Sequence, residues 1–380
     1  MRVNNIHIFI RKPKFCLLVS ALLCACLYLS CTNSNNDENS LANIDIINPD
    51  DLPSYLTKEY EKTLADVRAA AGADGIIILY ANDLHFSYPG SGYHEKALVE
   101  PITHMFQAMY NFEKDLSPNL ILLGGDYIQL PLLSEGQTKE MGFRTLDYVN
   151  SWMGRFTSPR FMLMGNHELN YTGDGTGYGM TVNEFYAYSQ QHFVNDGIVV
   201  EVGDSHQVFY MDNFKSKIRY IFLSTPSVGY SHLRQDVETA LYTVPEGYSV
   251  IIGNHFSGNF YTGATPTPFN AVKDVLDWVK TSEVDFIAWL GAHCHADMTF
   301  MHDGMLAISC LQSGAWTPEQ SADGVKYEHK AGTATETSMT IYVIRKDLGK
   351  IYAKRFGLGR DREINYNNTS GEAGAVVWSD

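Results

Sequence analysis

The stretch FMLMGNHE, residues 161–168, indicates the fold of this chain. Four apolar residues predict a buried β-strand, and the polar Gly165-Asn166-His167-Glu168 follows directly. Apolar runs that predict strands precede four further polar motifs. These motifs are Asp83-Leu84-His85, Gly125-Asp126, Gly253-Asn254-His255 and His293-Cys294-His295. Ligands of open α/β sheets bind at the carboxyl ends of the strands, so we expect the five motifs to lie together at one edge.

Strand-like and helical patterns alternate along residues 52–360, with no internal repeat. Helical periodicity predicts helices at 52–71, 94–114, 138–153, 182–193 and 271–280. Apolar runs predict strands at 75–81, 119–123, 161–164, 198–202, 207–211, 218–223, 249–252, 285–290, 305–309, 339–344 and 350–356. The alternation predicts an α/β fold with its functional edge at the carboxyl ends of the strands.

The side chains of the five motifs suit a pair of divalent metal ions. Two ions about 3.5–4 Å apart need a bridging carboxylate, with oxygen and imidazole ligands around it. Asp83 and His85, on a segment expected to be extended, can both face one ion. Asp126 follows two glycines, which leave room for a close approach. The other candidates offer an amide oxygen or imidazole nitrogens: Asn166, His255, His293 and His295.

These residues indicate a hydrolase with two metal ions, and two alternative interpretations stay open at this point. The run His293-Cys294-His295-Ala296-Asp297 matches most of the metallo-β-lactamase pattern His-x-His-x-Asp-His, although Met298 replaces the final histidine. That hypothesis makes Asp297 essential and leaves the four upstream motifs unexplained. The other alternative is a lipid-anchored surface binding protein whose metal site is structural.

Taken in order, the five motifs resemble those of the calcineurin-like metallophosphoesterase superfamily, over about residues 75–360. The ending RFGLGRDR, residues 355–362, also looks like the close of bacterial members. The resemblance implies a two-sheet αββα sandwich and a phosphatase or phosphodiesterase. It also implies that a hydroxide bridging two metal ions attacks phosphorus in a mono- or diester. The ions would be Mn, Fe or Zn.

The resemblance further implies a role for each site residue. One ion would be held by Asp83, His85, Asp126 and His295, and the second by Asp126, Asn166, His255 and His293. His167 would not bind metal but would contact the phosphate and assist the leaving group, so Asp126 and His167 are the expected catalytic residues. The chain departs from the family pattern in two ways. Ala292 stands where a glycine is usual, and Asn254 lies in a second Gly-Asn-His.

The first thirty residues predict a bacterial lipoprotein signal peptide. A basic start is followed by an apolar stretch at 15–29, which is short for a membrane span of about 20 residues. We expect lipidation at Cys31, with Cys26 as the alternative. We also expect export, with the protein anchored in the bacterial envelope on the periplasmic side or at the cell surface. Residues 31–50 predict a flexible tether, 51–362 the catalytic domain, and 363–380 a tail that is frayed from Asn365 onward.

Net charge narrows the possible binding partners, and cysteine content bears on how the fold is stabilised. A net charge of −15 and a pI near 5.3 argue against general nucleic-acid binding. Together with the predicted export, this leaves small extracellular phosphoesters as the expected substrates. After Cys31 only Cys294 and Cys310 remain, so disulfides do not hold the fold together. Strand alternation is expected to point Cys294 away from the metals.

Overall fold

The computed structural model describes residues 51–86, 95–128, 139–169, 179–224, 232–257, 267–314, 319–367 and 373–379. The predicted signal peptide, the tether and Cys31 lie outside these ranges. From residue 48 onward the described residues form one compact unit. Within the described ranges, no helix has both the length and the apolar character needed to cross a membrane.

Seven α-helices and one π-helix occur in the described chain. Their bounds are α1 (Ser54–Ala71), α2 (Glu95–Leu116), α3 (Lys139–Met153), α4 (Val182–Phe185), the π-helix (Tyr186–Gln190), α5 (Gln191–Asn195), α6 (Leu233–Tyr242) and α7 (Thr267–Thr281). A capping box begins α4, because Thr181 Oγ1 accepts from the Glu184 N–H at 3.2 Å and Glu184 Oε2 accepts from the Thr181 N–H at 2.8 Å. The single helix predicted at 182–193 is therefore interrupted by a π-helix.

The strands fall into two large sheets and one short ribbon. They are β1 (Ile76–Ala81), β2 (Leu120–Leu123), β3 (Arg160–Met162), β4 (Val200–Val202), β5 (Val208–Asn213), β6 (Ile218–Leu223), β7 (Ser249–Phe256), β8 (Asp285–Ala292), β9 (Met298–His302), β10 (Met305–Ser309), β11 (Glu319–Gln320), β12 (Lys326–Tyr327), β13 (Ser338–Arg345), β14 (Lys350–Gly357), β15 (Asp361–Asn365) and β16 (Val376–Ser379).

Each large sheet has a parallel centre with antiparallel strands beside it. The first sheet has the order β16-β15-β14-β13-β1-β2-β3, with β1, β2 and β3 parallel. The second has the order β4-β5-β6-β7-β8-β10-β9, with β6, β7, β8 and β10 parallel. Strands β1 and β2 are apolar and buried along their whole length, as expected for the centre of a covered sheet.

The two sheets pack face to face through large apolar side chains. The ring of Phe161 on β3 stacks on Phe222 of β6, with centroids 4.3 Å apart. Gly253 of β7 lies against Leu122 of β2, because a Cβ added at Gly253 would lie 3.1 Å from Leu122 Cδ2. Helix α1 packs on β13 and β14, while α6 packs on β5 and α7 on β7. The fold is therefore mixed α/β with two layered sheets, as predicted.

The sequence pattern missed several elements at the margins of the fold. Helix α6 and strands β9, β15 and β16 were not predicted. The chain after Asn365, expected to be frayed, contributes β16, which pairs antiparallel with β15. These strands lie at or next to sheet edges, where burial is partial and the apolar pattern is weak.

Candidate metal centre

All five motifs lie at one edge of the molecule, where five parallel strands end. Asp83 and His85 follow β1, Asp126 follows β2, and Asn166 follows β3. His255 lies within the last residues of β7, and two histidines follow β8: His293 and His295.

Tight left-handed turns orient five of these residues. The positive φ angles are 51° at Asp83, 44° at His85, 55° at Asp126, 66° at His293 and 53° at His295. Only ten non-glycine residues of the described chain have positive φ, so half of them lie at this edge. The prediction that Asp83 and His85 share an extended segment is therefore wrong. Strained backbone of this kind costs about 1–3 kcal/mol per residue and is concentrated at functional sites.

Glu168 holds two of the motifs in place through backbone N–H groups. Its Oε2 accepts from Asp126 N at 2.9 Å and from Gly165 N at 2.7 Å. Its Oε1 accepts from Tyr127 N at 2.7 Å and from Ile128 N at 3.2 Å. Burial, followed by the nearby Asp126 carboxylate, raises the pKa of Glu168 to about 7. From the sequence, Glu168 served only to identify the Gly-Asn-His-Glu motif. In the structure its carboxylate anchors the loops that follow β2 and β3.

A first group of ligand atoms comes from Asp83, His85 and His295. These atoms all lie within 4.8 Å of one another. Nε2 of His85 is 3.0 Å from Nε2 of His295, and Asp83 Oδ1 is 3.4 Å from the latter nitrogen. The other carboxylate oxygen, Asp83 Oδ2, accepts from Asn82 Nδ2 at 2.5 Å and from His293 N at 3.0 Å. Asp83 is therefore fixed with Oδ1 towards the imidazoles.

A second group comes from Asp126, His255 and His293, whose ligand atoms also lie within 4.8 Å. His255 Nε2 is 3.2 Å from Asp126 Oδ2 and 2.9 Å from Asn166 Oδ1. On the other side of the ring, His255 Nδ1 donates to Gly124 O at 2.8 Å. That bond sets the orientation of the ring and directs Nε2 into the group. The amide of Asn166 belongs to the same group.

Asp126 lies between the two groups. Its Oδ2 is 3.8 Å from His85 Nε2, 3.2 Å from His255 Nε2 and 3.9 Å from His167 Nε2. Its Oδ1 accepts from His167 N at 2.8 Å. A Cβ at Gly165 would lie 2.1 Å from Asp126 Oδ1, so only glycine fits there. One carboxylate facing both groups is what a bridging ligand requires.

His167 lies beside this cluster and is more open than its neighbours. Of its side chain 27% is exposed, against 1% for His85. Its ring nitrogen also lies within 4.8 Å of ligand atoms on His85 and Asp126. Burial lowers the pKa of His167 to about 4, so the ring is neutral near pH 7. A neutral, partly exposed imidazole can donate a hydrogen bond to a bound anion.

Carboxylates and imidazoles of the cluster interact strongly. Burial alone would raise the pKa of Asp83 and of Asp126, yet neighbouring imidazoles hold both pKa values below their ordinary range. Burial disfavours a charged His255, but Asp126 raises the pKa of His255 to about 9. The pKa of His293 moves the other way, to about 4, because burial dominates. The two carboxylates are therefore held as anions that face the imidazoles of the cluster.

The donor set fits divalent metal ions. Asp83 Oδ1 is buried and accepts no hydrogen bond from the described residues. A buried carboxylate oxygen is stabilised by a cation when hydrogen bonds are lacking. Imidazole, carboxylate and amide donors together suit borderline divalent ions. The first group, the second group and Asp126 between them form a candidate centre for two ions.

Asn254, in the duplicated Gly-Asn-His motif, is occupied by backbone contacts. Its Nδ2 donates to Leu223 O at 2.7 Å, and its Oδ1 accepts from Phe256 N at 2.9 Å. Between the two candidate amides, Asn166 is the one whose oxygen faces an imidazole of the cluster.

Ser257 packs beneath the last motif. Its Oγ donates to Ala292 O at 3.0 Å and lies 3.4 Å from Cys294 Sγ. A Cβ at Gly291 would lie 2.3 Å from Ser257 Cβ, so Gly291 is the position that excludes a side chain. The alanine at 292, by contrast, is accommodated and buried. Cys294 is packed against Ser257 by a turn between His293 and His295, and not by strand alternation.

Asp297 is engaged in a buried ion pair. Its Oδ1 accepts from Arg355 Nη2 at 2.6 Å and lies 2.9 Å from Arg362 Nη2. A metallo-β-lactamase-like site would need this carboxylate in the metal group. Here two arginines already compensate its charge.

Together, the fold and the cluster define a mixed α/β protein with a candidate two-metal centre at the strand ends. The family model described as calcineurin-like phosphoesterase matches residues 76–297, and the chain belongs to that family. No sequence among the curated proteins matches the chain.

Several solved structures share similarity with the chain. A dimetal phosphatase from Danio rerio is 13% identical with a TM-score of 0.47, covering 77% of this chain and 99% of that one. A 5′-nucleotidase, described as putative, from Staphylococcus aureus is 12% identical with a TM-score of 0.41, covering 75% and 54%. GAP50, the anchor in the inner membrane complex of Plasmodium, is 12% identical with a TM-score of 0.39, covering 80% and 89%.

Proposed function

We propose that this chain hydrolyses phosphate mono- or diesters with two divalent metal ions bound at the candidate centre. The observation that carries the proposal is the position of Asp126, whose Oδ2 faces imidazoles of both ligand groups. When bound, two such ions lower the pKa of a coordinated water and neutralise phosphate oxygens. Mn, Fe and Zn all suit the donor set.

The ligands divide between the two ions. Asp83, His85 and His295 would hold the first, Asn166, His255 and His293 the second, and Asp126 would bridge them. Backbone and side-chain contacts already orient these groups: Asn82 fixes Asp83, Gly124 fixes His255, and Glu168 fixes the loop of Asp126. Such orientation reduces the cost of ordering the ligands when metal binds.

His167 would act on the leaving group. Its ring is neutral near pH 7 and partly exposed, and its backbone N–H is tied to Asp126. It would therefore hold a hydrogen bond to the departing oxygen as negative charge develops there. Help of this kind is worth about 10²–10⁴-fold in rate.

We also propose that the substrate is a small phosphoester outside the cytoplasm. The N-terminal sequence supports export and lipid anchoring at Cys31, on the periplasmic or cell-surface side. The net charge of −15 disfavours long nucleic acids. Binding of an anionic substrate then depends on the charge of the metal centre.

Replacing Asp126 with Asn tests the proposal. The amide keeps the shape of the side chain but removes the bridging charge, so phosphoesterase activity should fall by about 1,000-fold or more. The metal content of the variant should be lower than two ions per chain. Activity is measured on p-nitrophenyl phosphate and its bis ester with Mn²⁺, and metal by elemental analysis.

Asp347→Asn is the matched control, since Asp347 is an exposed carboxylate paired with Arg345 at 2.6 Å. This variant should keep both activity and metal content. Full activity in Asp126→Asn, or bound metal with no turnover of either ester in the unmodified chain, would sink the proposal.

A further inference from the structure

The two sheets are joined by hydrogen bonds beside the second ligand group. Strand β3 belongs to the first sheet and β6 to the second, yet Met164 N donates to Ser224 O at 3.1 Å. Ser224 follows β6, and Met164 lies two residues before Asn166. The amide ligand therefore leaves the first sheet at a point fixed to the second.

Gln190 spans this same junction with one side-chain amide. Its Nε2 donates to Met162 O on β3 at 3.2 Å, and also to Ser224 Oγ. The residue is fully buried. A single NH₂ group thus contacts both Met162, two residues before Met164, and Ser224, whose backbone oxygen accepts the inter-sheet hydrogen bond.

The π-helix explains why Gln190 points inward. It inserts an extra residue between α4 and α5, and it buries Ser189 and Gln190. In a regular helix each residue turns by about 100°, so removing the extra residue would rotate this side chain out of the junction. Single π-helical turns are rare and occur frequently at functional sites.

We propose that Gln190 is a positioning residue for the second ligand group. Through Met162 and Ser224 it sets where the chain turns towards Asn166, and so sets the Asn166 amide against His255 Nε2. On the facing sheet, Asn254 ties Leu223 of β6 to β7, one residue before His255. The terminal ligands of the first group follow β1 and β8, so only the shared Asp126 connects that group to the loop after β3. The inference rests on the proposed two-metal function.

The test uses Gln190→Met, which keeps length and volume but has no N–H donor. Mn²⁺ alone is titrated into the metal-free full chain, kept in detergent because of its apolar N-terminal segment. Low-temperature electron paramagnetic resonance separates single from spin-coupled Mn²⁺. We expect the second Mn²⁺ to bind about 10- to 100-fold more weakly, as for other residues that orient ligands. The first Mn²⁺ should bind as in the unmodified chain.

Three variants serve as controls. Ser189→Ala changes the adjacent buried π-helix residue, whose Oγ makes no hydrogen bond to the described residues, and both affinities should stay unchanged. Ser224→Ala removes one acceptor of Gln190 from outside the helix, and it should weaken the second site only. Val275→Ala, in the core beneath the second sheet, loses stability without contacting the junction. It should leave the ratio of the two affinities unaltered.

A double-mutant cycle with Asn166→Ala decides whether Gln190 acts through that ligand. If it does, Gln190→Met adds no further loss in the Asn166→Ala background. Equal weakening of both sites, additive losses in the cycle, or unchanged affinities would each overturn the inference. Failure of the unmodified chain to bind two Mn²⁺ ions would instead overturn the proposed function.

Discussion

At the scale of single residues, two glycines beside the candidate ligands occupy positions where no other residue fits. Gly125 and Gly165 lie against each other, and a Cβ on Gly125 would be 2.7 Å from Gly165 N. A Cβ on Gly165 would meet both Oδ1 and the backbone nitrogen of Asp126, at 2.1 and 2.4 Å. No side-chain movement can relieve the contact with a backbone nitrogen.

Gly165→Ala should therefore displace Asp126 and reduce phosphoesterase activity by about 100-fold or more, as expected for a bridging ligand moved by about 1 Å. Activity and Mn²⁺ content are measured together. Gly142→Ala in α3 is the control, because its Cβ would meet only the mobile ends of Ile128 and Met180, at 3.2 and 3.3 Å. Equal activity in the two variants would show that the Gly165–Asp126 contact does not matter.

The identity of the candidate ligands was accessible from sequence, but their backbone geometry was not. Order and residue type brought Asp83, His85 and Asp126 to attention. Nothing in those letters indicates that all three adopt left-handed φ, because non-glycine residues rarely do so, although Asp and His do so more often than most. Those conformations exist because contacts distant in sequence hold them, such as Glu168 to the Asp126 backbone and the Gly314 N–H to Asp83 O at 3.2 Å.

At the scale of elements, the segment between β12 and β13 carries a partly buried neutral histidine, His329. His329 Nδ1 lies 3.2 Å from Glu336 O, and its Nε2 atom is buried. Burial lowers the pKa of His329 to about 4, against an ordinary value of 6.5. The folded state therefore resists protonation that the unfolded state accepts.

Because the folded pKa lies below the unfolded one, the contribution of His329 to stability is full above pH 6.5. It is lost as the pH falls towards 4. Between pH 7 and pH 5 the loss should be about 1–2 kcal/mol. His329→Gln should lose that much less stability over the same interval in urea unfolding. Parallel curves for the two proteins would contradict this assignment.

Among the elements, long buried strands and long helices were predictable, and short or irregular ones were not. The apolar run of β1 and the helical stripe of α1 carry strong local patterns. The π-helix has no distinct local sequence pattern, and its Gln190 makes contacts with residues distant in sequence. Strand β16 alternates between intermediate and exposed residues, and β15 is what makes it a strand.

At the scale of the whole molecule, one buried carboxylate links the two sheets near their ends. Asp297 directly precedes β9 of the second sheet, while Arg355 lies on β14 and Arg362 on β15 of the first. Arg362 and Asp297 are both fully buried. Burial disfavours the charged guanidinium, but Asp297 more than compensates and raises the pKa of Arg362.

Arg362→Met should lower the free energy of unfolding by about 3–5 kcal/mol, because it leaves a buried charge less compensated. Urea unfolding followed by tryptophan fluorescence measures the change. Arg144→Met is the matched control: that arginine is exposed, 3.2 Å from the exposed Glu140, and its loss should cost about 1 kcal/mol or less. Similar losses in both variants would mean that the inter-sheet pair contributes little.

The order of strands in the first sheet has a consequence for biosynthesis. Strand β1, which leads to Asp83 and His85, has β13 as its neighbour on one side. All seven candidate ligands are thus translated before the strand that completes their support. A nascent chain therefore carries all seven candidate ligands before β13, the neighbour of β1, has been made.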